Sequence, residues 1–195
     1  SAFFYVLIEQ SIMSWLPTFN KDVLQLSTSL SIQMASILSA SIALGRFLAG
    51  LVLRKADWFI VLAVCLLAAG TLVLLAVPLT KNITGITVNS LADVPLVAFI
   101  FPLIGLFLAP IYPAINSVVL SALPKSRHAA MTGLIVVFSA LGGTTGSYVT
   151  GQLFAHFDGS RAFYLLLAPM AMLLVSMALL HQAVSKRQGG VPPVA

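Results

Sequence analysis

The sequence predicts an all-α polytopic membrane protein of six transmembrane helices, arranged as two inverted three-helix repeats. Of its 195 residues 59% are hydrophobic and only 8% are charged, with a mean hydropathy of +1.06; a soluble domain carries about a quarter charged residues. The apolar residues fall into six long stretches, and most charges sit in the short loops between them. The longest internal loop, about residues 80–94, divides the stretches three and three. Three crossings leave the chain on the far side of the bilayer, so the second triplet enters inverted.

The first stretch runs to about residue 19, and the others cover about 28–53, 58–79, 95–123, 129–157 and 162–181. Each is near or above the ~20 residues that cross ~30 Å of hydrocarbon at about 1.5 Å per residue. Hydrocarbon offers no water to a bare backbone, so uninterrupted runs of this length are helices, whereas strands would need short alternating segments. Residues 1–185 form one six-helix domain and 186–195 a tail.

The stretches differ in what they carry. The third and sixth are almost featureless, with Thr71 and Ser176 as their main interior polar groups, and read as lipid-facing walls. The second aligns Ser29, Gln33, Ser36 and Ala40. At 100° per residue the fourth gathers Pro102, Gly105, Ala109, Tyr112, Pro113 and Asn116 into one kinkable stripe. The fifth gathers Thr132, Ser139, Gly142, Gly143, Gly146, Ser147 and Thr150, in which Gly142 and Gly146 form a G-x-x-x-G that lets a neighbouring backbone come close. The expected role of this glycine face, Gly143 included, is helix packing. A second face of the fifth stretch carries Thr145, Tyr148 and Gln152, which suit a cavity better than lipid.

Charge sets orientation. Arg54, Lys55, Lys125, Arg127, Lys186 and Arg187 lie on one side, while Lys21, Lys81 and Arg161 on the other are matched by Asp22, Asp93 and Asp158. The positive-inside rule makes the first side, and the C-terminus, cytoplasmic. The net charge of +5 therefore reflects helix ends; no basic stripe or aromatic platform for nucleic acid exists. Cys65 alone forms no internal disulfide and no metal site. The first stretch lacks a charged leader and a cleavage motif, which argues against a signal peptide, and the start at Ser1 suggests a fragment or a processed chain. His128, His156 and His181 sit at separate helix ends without ligand spacing, so neither metal nor cofactor is expected. Gly146-Ser147-Tyr148 is not the nucleophile motif of six-helix intramembrane proteases, and paired Asn-Pro-Ala motifs of water channels are absent.

The strongest functional candidate is Glu9, mid-way along the first helix beside Gln10. A carboxylate at that depth is costly unless protonated, paired or wetted, which suits a group that takes up and releases protons. A structural clasp to another helix is the alternative. Tyr5, Gln10 and Met13 fall within one arc with it, and together with Tyr112 and Asn116 these side chains are expected to converge on a wet central cavity. Gln33 and Tyr148 complete the candidate set. Arg46, near the cytoplasmic end of the second helix, is expected to snorkel or to cap carbonyls of a neighbour, with solute contact as the lesser alternative.

Three stretches resemble the C-terminal half, helices seven to twelve, of a major facilitator superfamily transporter. Phe4-Tyr5-Val6-Leu7-Ile8-Glu9-Gln10-Ser11-Ile12-Met13-Ser14-Trp15-Leu16-Pro17-Thr18 is similar to the seventh helix of the fucose:proton symporter and sugar-porter branch. Gly45-Arg46-Phe47-Leu48-Ala49-Gly50 with Arg54-Lys55 resembles the end of helix eight and its basic loop, although Arg54 stands where that loop often has Asp. Gly105-Leu106-Phe107-Leu108-Ala109-Pro110-Ile111-Tyr112-Pro113-Ala114-Ile115-Asn116-Ser117 and Gly142-Gly143 with Gly151 resemble helices ten and eleven. The resemblance implies that the first and fourth helices line the cavity, the second and fifth meet a missing N-terminal six-helix half, and the third and sixth stand outside. The resemblance leaves the solute open; the expected function is proton-coupled uptake of a small polar solute, such as a sugar, by alternating access in the inner (plasma) membrane. In that branch the proton-coupling acids belong mainly to the missing half, which leaves Glu9 as a solute ligand. A drug or metabolite exporter is the alternative within the superfamily, and a non-transporting scaffold or receptor-like subunit the alternative outside it.

Overall fold

The computed structural model describes residues 1–80, 94–156 and 164–188, all helices and short connections without a strand among them. Lys81, Asp93, Asp158, Arg161 and most of the expected tail lie outside the described residues. Among the described residues five helical spans are long and apolar enough to cross a membrane, which marks the chain as membrane-embedded: Thr28–Val52, Trp58–Ala76, Leu96–Ser121, Lys125–Leu153 and Leu167–Lys186.

Helix α1 (Ala2–Thr18) continues into a π-helical turn (Phe19–Val23) and so outlasts its expected end at residue 19. Pro17 is the local cause. It has no N–H to return to the Met13 carbonyl, and just beyond it the ladder widens until Leu24 N donates to the Phe19 carbonyl at 3.1 Å. Gln25, at φ 51°, turns the chain. Ser27 then caps α2 (Thr28–Val52), accepting from Leu30 N at 3.3 Å. Asp57 caps α3 (Trp58–Thr80) through Phe59 N at 2.8 Å and Ile60 N at 3.2 Å.

The fourth span is not one helix. A 3₁₀ turn (Leu96–Phe99) leads into α4 (Ile100–Leu108), the hydrogen-bond ladder is interrupted at Ala109 and Pro110, which keep helical backbone angles, and α5 (Ile111–Ser121) follows. Pro110 cannot donate to the Leu106 carbonyl, which ends the ladder there. After a 3₁₀ turn (Lys125–Arg127) comes α6 (His128–His156), and α7 (Leu167–Gln188) carries Lys186 on its last turn, past the expected start of the tail.

Packing pairs α1 with α6 and α2 with α4 along their lengths; α3 leans on α4, and α7 touches both α1 and α3. Between apolar helices in lipid the drive to associate is close fit rather than escape from water, so small residues mark the seams. Gly142 and Gly146 of α6 lie on the backbone of α1: a Cβ on the first would fall on the Phe3 carbonyl, and one on the second on the Leu7 carbonyl. Ser11 Oγ donates to the Gly146 carbonyl at 3.3 Å, tying the same seam. In the second seam Gly45 of α2 lies against the Leu106 carbonyl and Gly105 of α4 against Leu38. The α3 core positions Leu62, Leu66, Ala69, Val73 and Ala76 repeat at helical spacing, while Ile60, Val64, Leu67 and Leu74 on its other face stay exposed.

Candidate functional site

Glu9 lies half-way along α1, where α1, α2 and α4 meet. Its position follows from the helical repeat: Tyr5, Glu9 and Met13 are spaced by four and share one face. The Tyr5 hydroxyl donates to Glu9 Oε1 at 3.0 Å, and Arg46 Nη2 of α2 stands 3.9 Å from the same oxygen. Glu9 is 24% exposed and Arg46 52%. Ile12, Met13, Leu38, Ile42, Gly105 and Leu108 complete the recess around the carboxylate. Arg46 thus reaches inward to a membrane-embedded acid, beyond the snorkelling and capping roles expected of it.

The cluster extends across the bundle. The buried Tyr5 ring stacks on Tyr112 of α5, with centroids 5.5 Å apart and planes 29° from parallel. The Tyr112 hydroxyl lies 3.1 Å from Ser139 Oγ of α6. A continuous polar and aromatic path, Arg46 to Glu9 to Tyr5 to Tyr112 to Ser139, therefore joins α2, α1, α5 and α6. The break at Pro110 sets the phase of α5, and with it the aim of Tyr112.

Of the residues singled out in the sequence, Tyr5, Glu9, Met13 and Tyr112 come together. Gln10 is exposed and turned toward α6, its Cγ 3.4 Å from where a Gly143 side chain would begin. Asn116, one turn beyond Tyr112, lines a separate cavity of about 570 Å³ with Ser1, Phe3, Phe138 and Ser176, and its Oδ1 is buried without a hydrogen bond. Gln33 is exposed on α2, and Tyr148 is 69% exposed on α6; neither lines the Glu9 recess. The sequence reading missed Arg46 and Ser139 as members. Spacing of four from Ile42 and eight from Leu38 places Arg46 on one face of α2 with both, but does not say which helix that face meets.

Beside Arg46 a cavity of about 360 Å³ opens between α2 and α5, lined by Gly50, Trp58, Pro110, Pro113 and Ser117 among others. A second, mostly apolar cavity of about 240 Å³ lies between α1, α6 and α7, against Leu7, Ser11, Thr150, Leu153 and Met172. At the far end of α1, Trp15, Phe19 and Phe101 close into an aromatic cluster, with Phe19 and Phe101 centroids 4.8 Å apart.

Asn20 adjoins that cluster in sequence and is 0% exposed, yet neither its Oδ1 nor its Nδ2 has a hydrogen-bond partner among the described residues. An unsatisfied buried amide is destabilising by about 1–3 kcal/mol, and an apolar side chain of the same shape removes that penalty. Asn20→Leu is accordingly expected to raise thermal stability in detergent. A lower melting temperature for the variant would mean that Asn20 has a hydrogen-bond partner in solution.

Comparison with family models, with characterised proteins and with solved structures finds no match to this chain.

Proposed function

We propose that the chain is the C-terminal six-helix half of a proton-driven secondary transporter of the major facilitator type, moving a small polar solute such as a sugar by alternating access. The observation that carries this reading is the Arg46–Glu9–Tyr5 cluster, a hydrogen-bonded carboxylate with a cationic neighbour inside otherwise apolar helices. Ionisable groups at that depth mark solute or proton paths.

Helix pairing supports the repeat. Exchanging the first triplet for the second turns the α1–α6 seam into the seam between α2 and the fourth span, and the α3–α4 contact into the α7–α1 contact; the α3–α7 contact maps onto itself. The exposed polar stripe of α2, with Ser29, Gln33 and Ser36, supports a covering six-helix half. Solute would bind near the midplane between the two halves. The apolar cavity between α1, α6 and α7 favours a second reading, an exporter of apolar solutes, which is kept for the case that sugars fail.

Glu9→Gln in the intact transporter tests the role of the carboxylate. In proteoliposomes the variant is expected to retain exchange of labelled sugar across the membrane and to lose accumulation against a gradient. Normal affinity with normal accumulation would leave Glu9 as a structural clasp.

Orientation in the inner membrane follows from the basic loops, with the C-terminus cytoplasmic. A cysteine at position 81 should react with an impermeant thiol reagent in right-side-out vesicles, and one at position 125 should not. Labelling at 125 with none at 81 would invert the topology.

A further inference from the structure

Resting on the transport reading, we infer that the solute carries a carboxylate, which replaces Glu9 as the counter-ion of Arg46 when Glu9 is protonated. The ion pair is incomplete as it stands. Charge-assisted N–H···O bonds close to about 2.7–2.9 Å, whereas Arg46 Nη2 is 3.9 Å from Glu9 Oε1, an oxygen that also accepts from Tyr5. The guanidinium is half exposed and lines the 360 Å³ cavity, in which it is the only charged side chain among the described lining residues. A space of that size accepts a small solute, and a guanidinium fork matches a carboxylate in two parallel hydrogen bonds.

Charge balance then supplies the coupling. Arg46 with ionised Glu9 is neutral, and Arg46 with neutral Glu9 and a bound carboxylate is neutral as well. The other two combinations leave one uncompensated charge within the membrane-embedded bundle, which low-dielectric surroundings oppose. One proton and one carboxylate therefore travel together. The proton comes from bulk water onto a Glu9 carboxylate oxygen, and no other bond changes. The elements around Glu9 offer little competition: Tyr5 on α1, Arg46 on α2, the Tyr112 phenol on α5 and the Ser139 hydroxyl on α6, while α4 contributes only Gly105 and Leu108.

The test uses the purified intact transporter in weakly buffered detergent, titrated with glucuronate, gluconate and lactate and, in parallel, with glucose and galactose. At least one carboxylate should bind with uptake of about one proton per protein, its affinity falling about tenfold per pH unit where Glu9 is ionised. Glu9→Gln should still bind that carboxylate, with no proton uptake and a flat pH profile. Arg46→Lys, which keeps the charge and loses the fork, should weaken binding by about 10- to 100-fold. Absence of any response to all three carboxylates overturns the inference. If glucose or galactose is nevertheless accumulated along a proton gradient, the transport reading survives that failure; if neither class is accumulated in proteoliposomes, the transport reading falls as well.

Discussion

Gly142→Leu is expected to separate α6 from α1 and abolish the folded state in mild detergent, and Gly146→Leu to do nearly the same. Even the Cβ of alanine at 142 would land on the Phe3 carbonyl, a backbone atom that cannot swing aside, and at 146 it would meet the Leu7 carbonyl and Ser11 Oγ. Overpacking a tight contact typically destabilises by about 1–3 kcal/mol, and a collision with main chain belongs at or above the top of that range. Two glycines on the same helix supply the control. Gly133 and Gly151 have nothing within 4 Å of a Cβ, so Gly133→Ala and Gly151→Ala should be neutral or stabilising by about 0.5–1 kcal/mol through helix propensity. Thermal unfolding followed by thiol accessibility of the half-buried Cys65 or by tryptophan fluorescence reads all four. A wild-type melting temperature for Gly142→Leu would mean that α1 and α6 do not pack as described.

The spans were legible because each is a long apolar run, and the glycine seam of α6 because its small residues recur at helical spacing. The break in the fourth span was harder to read, since the stripe read as kinkable holds Pro102 and Pro113 and not Pro110. The structure separates them by position. Pro102 falls in the first turn of α4 and Pro113 in the first turn of α5, where a missing N–H would be an orphan in any case. Pro110 alone removes a donor from the middle of the span. The π-helical end of α1 has the same origin in Pro17, but nothing in the sequence says whether such a helix stops or widens.

The site divides along a similar line. Tyr5, Glu9 and Met13 were legible as one face, because spacing within a helix is set by its pitch. Gln10 sits about 100° from Glu9 and belongs to the α6 side, a separation the same arithmetic contains. Arg46 was not legible as the neighbour of Glu9: the axial register between α1 and α2 depends on how Gly45 and Gly105 seat α2 on α4, a property of two surfaces and not of either sequence. Gln33 and Tyr148 show what polarity alone can tell. A polar side chain on an apolar helix says that the face suits something other than lipid, without saying which surface covers it.

Gly45→Leu should therefore carry two penalties at once. The side chain would drive α2 off the Leu106 carbonyl and the Ala109 side chain, with a loss of about 3 kcal/mol or more by the same main-chain argument. Because Arg46 is the next residue, the displacement would also carry the guanidinium away from Glu9, and on the transport reading proposed above any surviving protein should fail to accumulate solute. Gly50→Ala, just over a turn further along α2 with nothing within 4 Å of its Cβ, should leave stability unchanged. Pro110 denies the Leu106 carbonyl its helical N–H, and Gly45 lies against that carbonyl; a Cα–H···O contact there would contribute about 0.5–1 kcal/mol. Pro110→Ala gives the carbonyl back its own donor, so the two sites should be coupled. In a double-mutant cycle the destabilisation caused by Gly45→Ala should shrink by about that amount in the Pro110→Ala background. Strict additivity, measured by chemical unfolding in detergent, would mean that the Leu106 carbonyl draws nothing from α2 and that the seam is held by shape alone.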